Sequence, residues 1–239
     1  MTEAESPPAS PVTPIASPIH LLIVLAMMGF WAYRGAADAD AIVHVRINRV
    51  VFYSVTIFFQ WLTLGIVLLG VRLHRSPLST VLGERWRSMR EVGRDIGIAA
   101  AFWFVSAIIL SATVGHPKEV APNGVVEALL PHGALESTVW IALSVTAGIC
   151  EEAIYRGYLQ RQLIAFSKSP AIGILGSAIL FGAGHAYKGG AGALRIVLFG
   201  AMFGVLAHWR KSVRPGMIAH AFTDSFAGVL ARLIGIRVG

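Results

Sequence analysis

Charge is scarce in this chain, and the scarcity excludes a water-soluble globule. Only 14% of its 239 residues are Asp, Glu, Lys or Arg, against roughly a quarter in ordinary soluble domains. Hydrophobic residues make up 55%, so there is too little polar surface to cover a globule in water. Cysteine is nearly absent: Cys150 stands alone, which excludes an intramolecular disulfide. Acid is scarcer than base, with 13 Asp and Glu against 20 Lys and Arg. The formal charge of +7 does not point to nucleic acid, because the basic residues gather between apolar stretches, as in cytoplasmic loops of membrane proteins. No internal repeat and no second soluble domain is visible.

What the chain does have is long apolar runs. A spanning helix needs roughly 20 mostly apolar residues, and seven candidates are present. They are Ile19 to Tyr33, Val50 to Val71, Ile96 to Val114, a segment from near Ser137 through Cys150 to near Phe166, Ala171 to His185, Ala193 to Trp209, and Met217 to Ile236. In lipid each must close its own backbone hydrogen bonds, so each is read as a helix. The expected fold is all-α: a polytopic integral membrane helical bundle of about seven transmembrane helices. Residues 1–18 carry four prolines before Pro18 and no basic residue. They lack the charged start of a signal peptide and read as a disordered tail. Residues 19–239 read as a single transmembrane domain.

The loops suggest an orientation. Arg72, Arg75, Arg85, Arg87, Arg90 and Arg94 lie between the second and third runs, and Arg210, Lys211 and Arg214 between the sixth and seventh. The segment from Gly115 to Glu136 holds only Lys118. The positive-inside rule then places the N-terminus inside, with Arg34, Arg46 and Arg49 as exceptions. Trp31, Tyr33, Tyr187 and Trp209 fit interfacial anchors. Gly182, Gly184, Gly200 and Gly204 suit close helix–helix approach.

An ionisable group inside a span is costly and therefore a functional candidate. Glu151, Glu152 and Asp224 are the acids inside predicted spans, and Arg156, His185 and His220 stand beside them. Glu152 and Arg156 are four apart and can pair on one helix face. Glu151 points elsewhere around the same helix and has no local cation, which leaves it free to act as a general base. His220 and Asp224 also lie one turn apart. Cys150, flanked by carboxylates, lacks the electropositive setting of a reactive thiol and reads as packing.

The segment Glu151-Glu152-Ala153-Ile154-Tyr155-Arg156 resembles the E-E-x-x-x-R motif of the CPBP family, which comprises CAAX-type prenyl-protein endopeptidases and bacterial relatives. Phe181-Gly182-Ala183-Gly184-His185 resembles its F-x-x-x-H motif. His220-Ala221-Phe222-Thr223-Asp224 resembles its third motif, with Asp where Asn is frequent. The three occur in family order, within a catalytic core of about residues 137–236.

The resemblance implies an intramembrane endopeptidase of a bacterial or archaeal cell membrane, acting on a membrane-associated protein or peptide, with the lipid bilayer and no nucleic acid as partner. It implies Glu151 as general base, His185 positioning the water, His220 stabilising the oxyanion, and Glu152 paired with Arg156. Phe181 gives structural support. Asp224 is expected to orient His220, since an ionised Asp cannot donate a hydrogen bond. Glu152, His185, His220 and Asp224 could supply zinc ligands, but no H-E-x-x-H is present and Arg156 would set a cation near the metal. Metal-free, glutamate-type catalysis is favoured, with no cofactor and zinc as the open alternative. Two rivals remain: a proton-coupled carrier, which also concentrates acids and histidines in spans, and a noncatalytic scaffold or immunity protein.

Overall fold

The computed structural model describes residues 13–45, 47–113 and 124–230. Among these residues every regular element is helical. Helices α1 (Pro18–Ala37), α2 (Ala39–His44), α3 (Arg49–Leu73), α4 (Ser79–Leu82) and α5 (Met89–Thr113) form the first half. Then come α6 (Val125–Leu129) and α7 (Gly133–Glu151), which passes into a π-helical stretch, Glu152–Leu159, and on into α8 (Gln160–Ser167). The rest is α9 (Pro170–Ala183), a 3-10 turn at Ala186–Lys188, α10 (Gly189–Arg210), α11 (Arg214–Ser225) and a π-helical Phe226–Leu230.

Helix starts follow local chemistry. Ser17, Asn48 and Ser169 each accept a backbone N–H of the first turn, satisfying donors that have no partner within the helix. Pro18, Pro170 and Pro215 occupy first-turn positions, where a missing N–H costs nothing. Lys168 at φ 58° ends α8 and Lys211 at φ 51° ends α10.

Five segments are long and apolar enough to cross a bilayer: Pro18–Ala37, Arg49–Leu73, Met89–Ala112, Gly133–Ser167 and Ala186–Arg210. Helix α9 is a shorter apolar helix and α11 opens the seventh run, in keeping with a bundle of about seven spans. The first span, at 20 residues, is longer than its apolar run suggests, while α9 has only 14. Residues 231–236, expected to complete the seventh span, lie outside the described residues, as do residues 1–12 of the expected tail. Within that tail, Ile15 and Ala16 are buried. The Gln162 amide accepts from Ile15 N at 2.7 Å and donates to Ala16 O at 2.9 Å.

The distribution of polarity is that of an integral membrane protein. Leu22, Phe58, Phe104, Ile108, Ile179 and Val205 are exposed, whereas Glu152, Arg156, Gln160, Gln162 and His220 are buried. Lipid solvates the former; the latter require protein partners.

Glycines set the close approaches. A Cβ on Gly148 would lie 2.6 Å from Met217 O and 2.8 Å from Ala221 N, so α7 and α11 meet backbone to backbone. A Cβ on Gly157 would overlap the Val81 carbonyl, so α4 rests directly on the π-helical turn. Gly157→Ala is expected to destabilise the protein by about 1–3 kcal/mol, as overpacking does. Gly65→Ala, where a Cβ meets nothing within 4 Å, is the control. The two melting temperatures in one detergent, compared with wild type, check this; equal values would show that α4 moves aside freely.

Candidate active site

Glu151 is the last residue of α7, and Glu152 opens the π-helical turn. The wider i→i+5 bonding of such a turn is a frequent companion of functional residues. Here its carbonyls find extra partners: Tyr155 O accepts Gln160 N and also the Ser177 hydroxyl at 2.8 Å.

Glu152 is the hub. Its Oε1 accepts from Arg156 Nη1 at 2.9 Å and from His220 Nδ1 at 3.0 Å, and its side chain and that of Arg156 are each 1% exposed. A buried ion of either sign is tolerable only when paired and hydrogen-bonded. Arg156 meets that requirement threefold. It binds Glu152, donates through Nη2 to Gly200 O at 3.1 Å, and lies over the Phe181 ring with its guanidinium carbon 4.4 Å from the centroid. Phe181 of the second motif thus acts on the first motif's arginine.

His220 sits among three carboxylates. Because the carboxylate of Glu152 accepts, Nδ1 is the donor in that bond. Nε2 then faces Glu151 Oε2 at 3.7 Å and Asp224 Oδ2 at 3.6 Å. The hydrogen bond that orients the His220 ring therefore comes from Glu152 of the first motif. Asp224, with a 39% exposed side chain, lies near the other ring nitrogen, and its backbone carbonyl accepts Trp140 Nε1 at 2.9 Å. The aromatic rings of Phe181, Phe199 and Phe203 enclose His220 at centroid distances of 6.0, 6.1 and 5.5 Å.

His185 follows the end of α9. Its Nδ1 lies 2.9 Å from Phe181 O. A carbonyl cannot donate, so Nδ1 carries a proton, and in the neutral ring Nε2 would keep a lone pair. His185 and His220 both pack on Phe181, His185 with centroids 4.8 Å apart. From the sequence, the two histidines fall near opposite ends of their spans. The structure brings both rings onto Phe181 all the same.

Two polar residues that the structure engages were not singled out in the sequence. Gln60 of α3 donates through Nε2 to Glu151 Oε1 at 2.9 Å. Asp95, read as part of a loop, belongs to α5, is 3% exposed, and accepts Trp86 Nε1 at 2.9 Å with Arg210 Nη2 3.4 Å away. It ties α5 to the end of α10 rather than entering the site. The alternation of arginines around Asp95 disguised it; a search for any acid within one turn of an apolar run would have found it.

Among the described residues, no set of three or more His, Cys, Asp and Glu is arranged to hold a metal ion. Glu152 Oε1 is engaged with Arg156 and His220, and His185 Nδ1 with a backbone carbonyl.

The class defined so far is an integral membrane helical bundle with acid and imidazole groups gathered between its helices. Residues 133–226 match the family model of the type II CAAX prenyl endopeptidase, Rce1-like. All three motifs lie inside that segment, so their resemblance to the CAAX-protease family stands over it. Neither the curated proteins nor the solved structures include a significant match.

Proposed function

We propose that this chain is an intramembrane endopeptidase that hydrolyses a peptide bond of a membrane-associated protein or peptide. The observation that carries the reading is the meeting of Glu151, Glu152 and His220, from motifs 69 positions apart at most (151 to 220), through a hydrogen bond between the buried Glu152 and His220 and a close contact with the part-buried Glu151. The match of the same segment to a CAAX-type endopeptidase family supports it.

In this reading Glu151 accepts a proton from water as that water attacks the scissile carbonyl, the work of a general base. The lone pair on His185 Nε2 helps position the water. The carbonyl oxygen gains negative charge in the tetrahedral intermediate. His220, held by Glu152 and protonated on both nitrogens, donates Nε2–H to that oxygen, as a preorganised donor does. Asp224 stabilises the charged ring from 3.6 Å. Collapse of the intermediate breaks the C–N bond, and Glu151 returns its proton to the leaving amine. Glu152, already bonded to two cationic or hydrogen-bonding groups, is the support rather than the base, and Phe181 holds Arg156. The scheme is written without a metal, since Arg156 and His220 already share Glu152 Oε1. The N-terminus inside a bacterial or archaeal cell membrane fits the arginines of residues 72–94.

The test compares protein termini in host membranes carrying the wild type or the Glu151→Gln, Glu152→Gln double variant at matched expression. New termini confined to the wild type are expected. Identical termini, with both proteins folded and the precursors detected, would replace this reading with a scaffold or carrier.

A further inference from the structure

Gln60 stands outside the family-matched segment, on a helix that carries none of the three motifs. Its amide nevertheless hydrogen-bonds Glu151: Nε2 lies 2.9 Å from Oε1. The amide orientation is fixed by chemistry, since a carboxylate accepts and only the NH2 end can face it. The other end, Oε1, is buried and has no hydrogen-bond partner among the described residues. Leaving a buried carbonyl unsatisfied costs roughly 1–3 kcal/mol. A residue present only to fill space between α3 and α7 would avoid that cost with a Met or Leu.

The neighbours sharpen the assignment. Glu151 has two oxygens. Gln60 engages Oε1, while Oε2 faces His220 Nε2 at 3.7 Å. A carboxylate on a helix can rotate about its side-chain torsions, and a general base must present one oxygen in one direction. Glu152 is fixed by Arg156 and His220, but Arg156 offers Glu151 no hydrogen bond. The α3 helix supplies the missing restraint, and the α3–α7 contact, with the Tyr53 ring edge-on to Trp140 of α7 at a centroid distance of 5.3 Å, fixes the distance.

We propose that Gln60 is a positioning residue of this site, holding Glu151 Oε1 so that Oε2 is the oxygen presented to the reaction. The assignment rests on the endopeptidase reading for its consequence in rate, but the hydrogen bond itself is testable without it. It also makes the first half of the chain, outside the matched segment, part of the chemistry.

The experiment uses the purified full chain with Gln60→Met, which keeps length and volume but loses the donor, and Gln60→Glu, which keeps the shape and sets a carboxyl against Glu151. Three quantities are measured: melting temperature, kcat and KM on a membrane-anchored peptide with a cleavable reporter, and the infrared carboxyl band of Glu151 in protein with isotope-labelled glutamate, assigned by its loss in Glu151→Gln. Gln60→Met is expected to melt close to wild type, to lower kcat about 10–100-fold, the usual cost of losing an orienting partner, and to leave KM within about two-fold, because ground-state binding is untouched. The Glu151 band shifts in the same variant, and Gln60→Glu is slower still. Wild-type kcat in Gln60→Met, or an unmoved Glu151 band, would overturn the proposal. If the wild type cleaves no peptide, the endopeptidase reading fails and the band alone decides the role of Gln60.

Discussion

Glu151→Gln is expected to lower the rate of peptide hydrolysis by about 10²–10⁴-fold, the contribution of a positioned general base, while leaving the protein folded. The amide is isosteric and can still meet Gln60, whose Nε2 lies 2.9 Å from Oε1. It cannot take a proton from water. Glu152→Gln removes a different function: the charge on the acceptor shared by Arg156 Nη1 and His220 Nδ1 at 2.9 and 3.0 Å. That variant should lose stability as well as rate. Melting temperature and single-turnover cleavage, measured for both variants, separate the two glutamates. A folded Glu151→Gln protein with wild-type turnover would transfer the role of base to another group. A chelator should leave wild-type turnover unchanged; loss of turnover that returns with stoichiometric zinc would reopen the metal alternative.

Arg156→Met should cost about 3–5 kcal/mol of stability, because it strands the buried Glu152 carboxylate. The guanidinium does more than cancel a charge. It donates to Gly200 O at 3.1 Å and packs on Phe181, and a Cβ on Gly200 would come within 3.3 Å of Arg156 Nη2. The pocket is therefore shaped around this side chain. Combining Arg156→Met with Glu152→Gln removes the uncompensated charge, so the double variant should recover a large part of the loss. The double-mutant cycle in detergent measures the coupling between them. Additive losses would mean that the two residues stabilise the bundle independently, contrary to the 1% exposure they share.

The legible part of this protein was its scarcity of charge. With so few ionisable groups, those left inside apolar runs identify themselves, and Glu151, Glu152, Arg156, His185, His220 and Asp224 stood out for that reason. Spacing gave the Glu152–Arg156 contact, since i,i+4 residues share a helix face, and the structure has it within a π-helical turn. Which carboxylate would orient His220 was not legible. Asp224 is nearer in sequence, but Gly148 brings α7 against α11 so closely that Glu152 reaches Nδ1 first. Gln60 was hidden for a different reason. A neutral amide in an apolar run is inexpensive enough to be commonplace, and nothing along the chain states which face of α3 meets α7. The change from α to π bonding at Glu152 has no composition signal either; it depends on partners such as Ser177 and on the carbonyl of Val81 beside Gly157.

The short α9 has a consequence for where water comes from. Fourteen residues rise about 21 Å along a helix axis, against a hydrocarbon layer of about 30 Å. A helix that falls short is accommodated by local thinning of the bilayer or by polar groups reaching inward, at a fraction of a kcal/mol per Å. His185 lies just past the end of this helix, so thinning of the bilayer at α9 would bring the aqueous phase nearer to that histidine. On the proposed endopeptidase reading each bond cleaved consumes one water, and the short helix offers that water a route. Bilayer thickness thereby becomes a variable of the reaction, and lipids with longer acyl chains should slow turnover by lengthening the dry path.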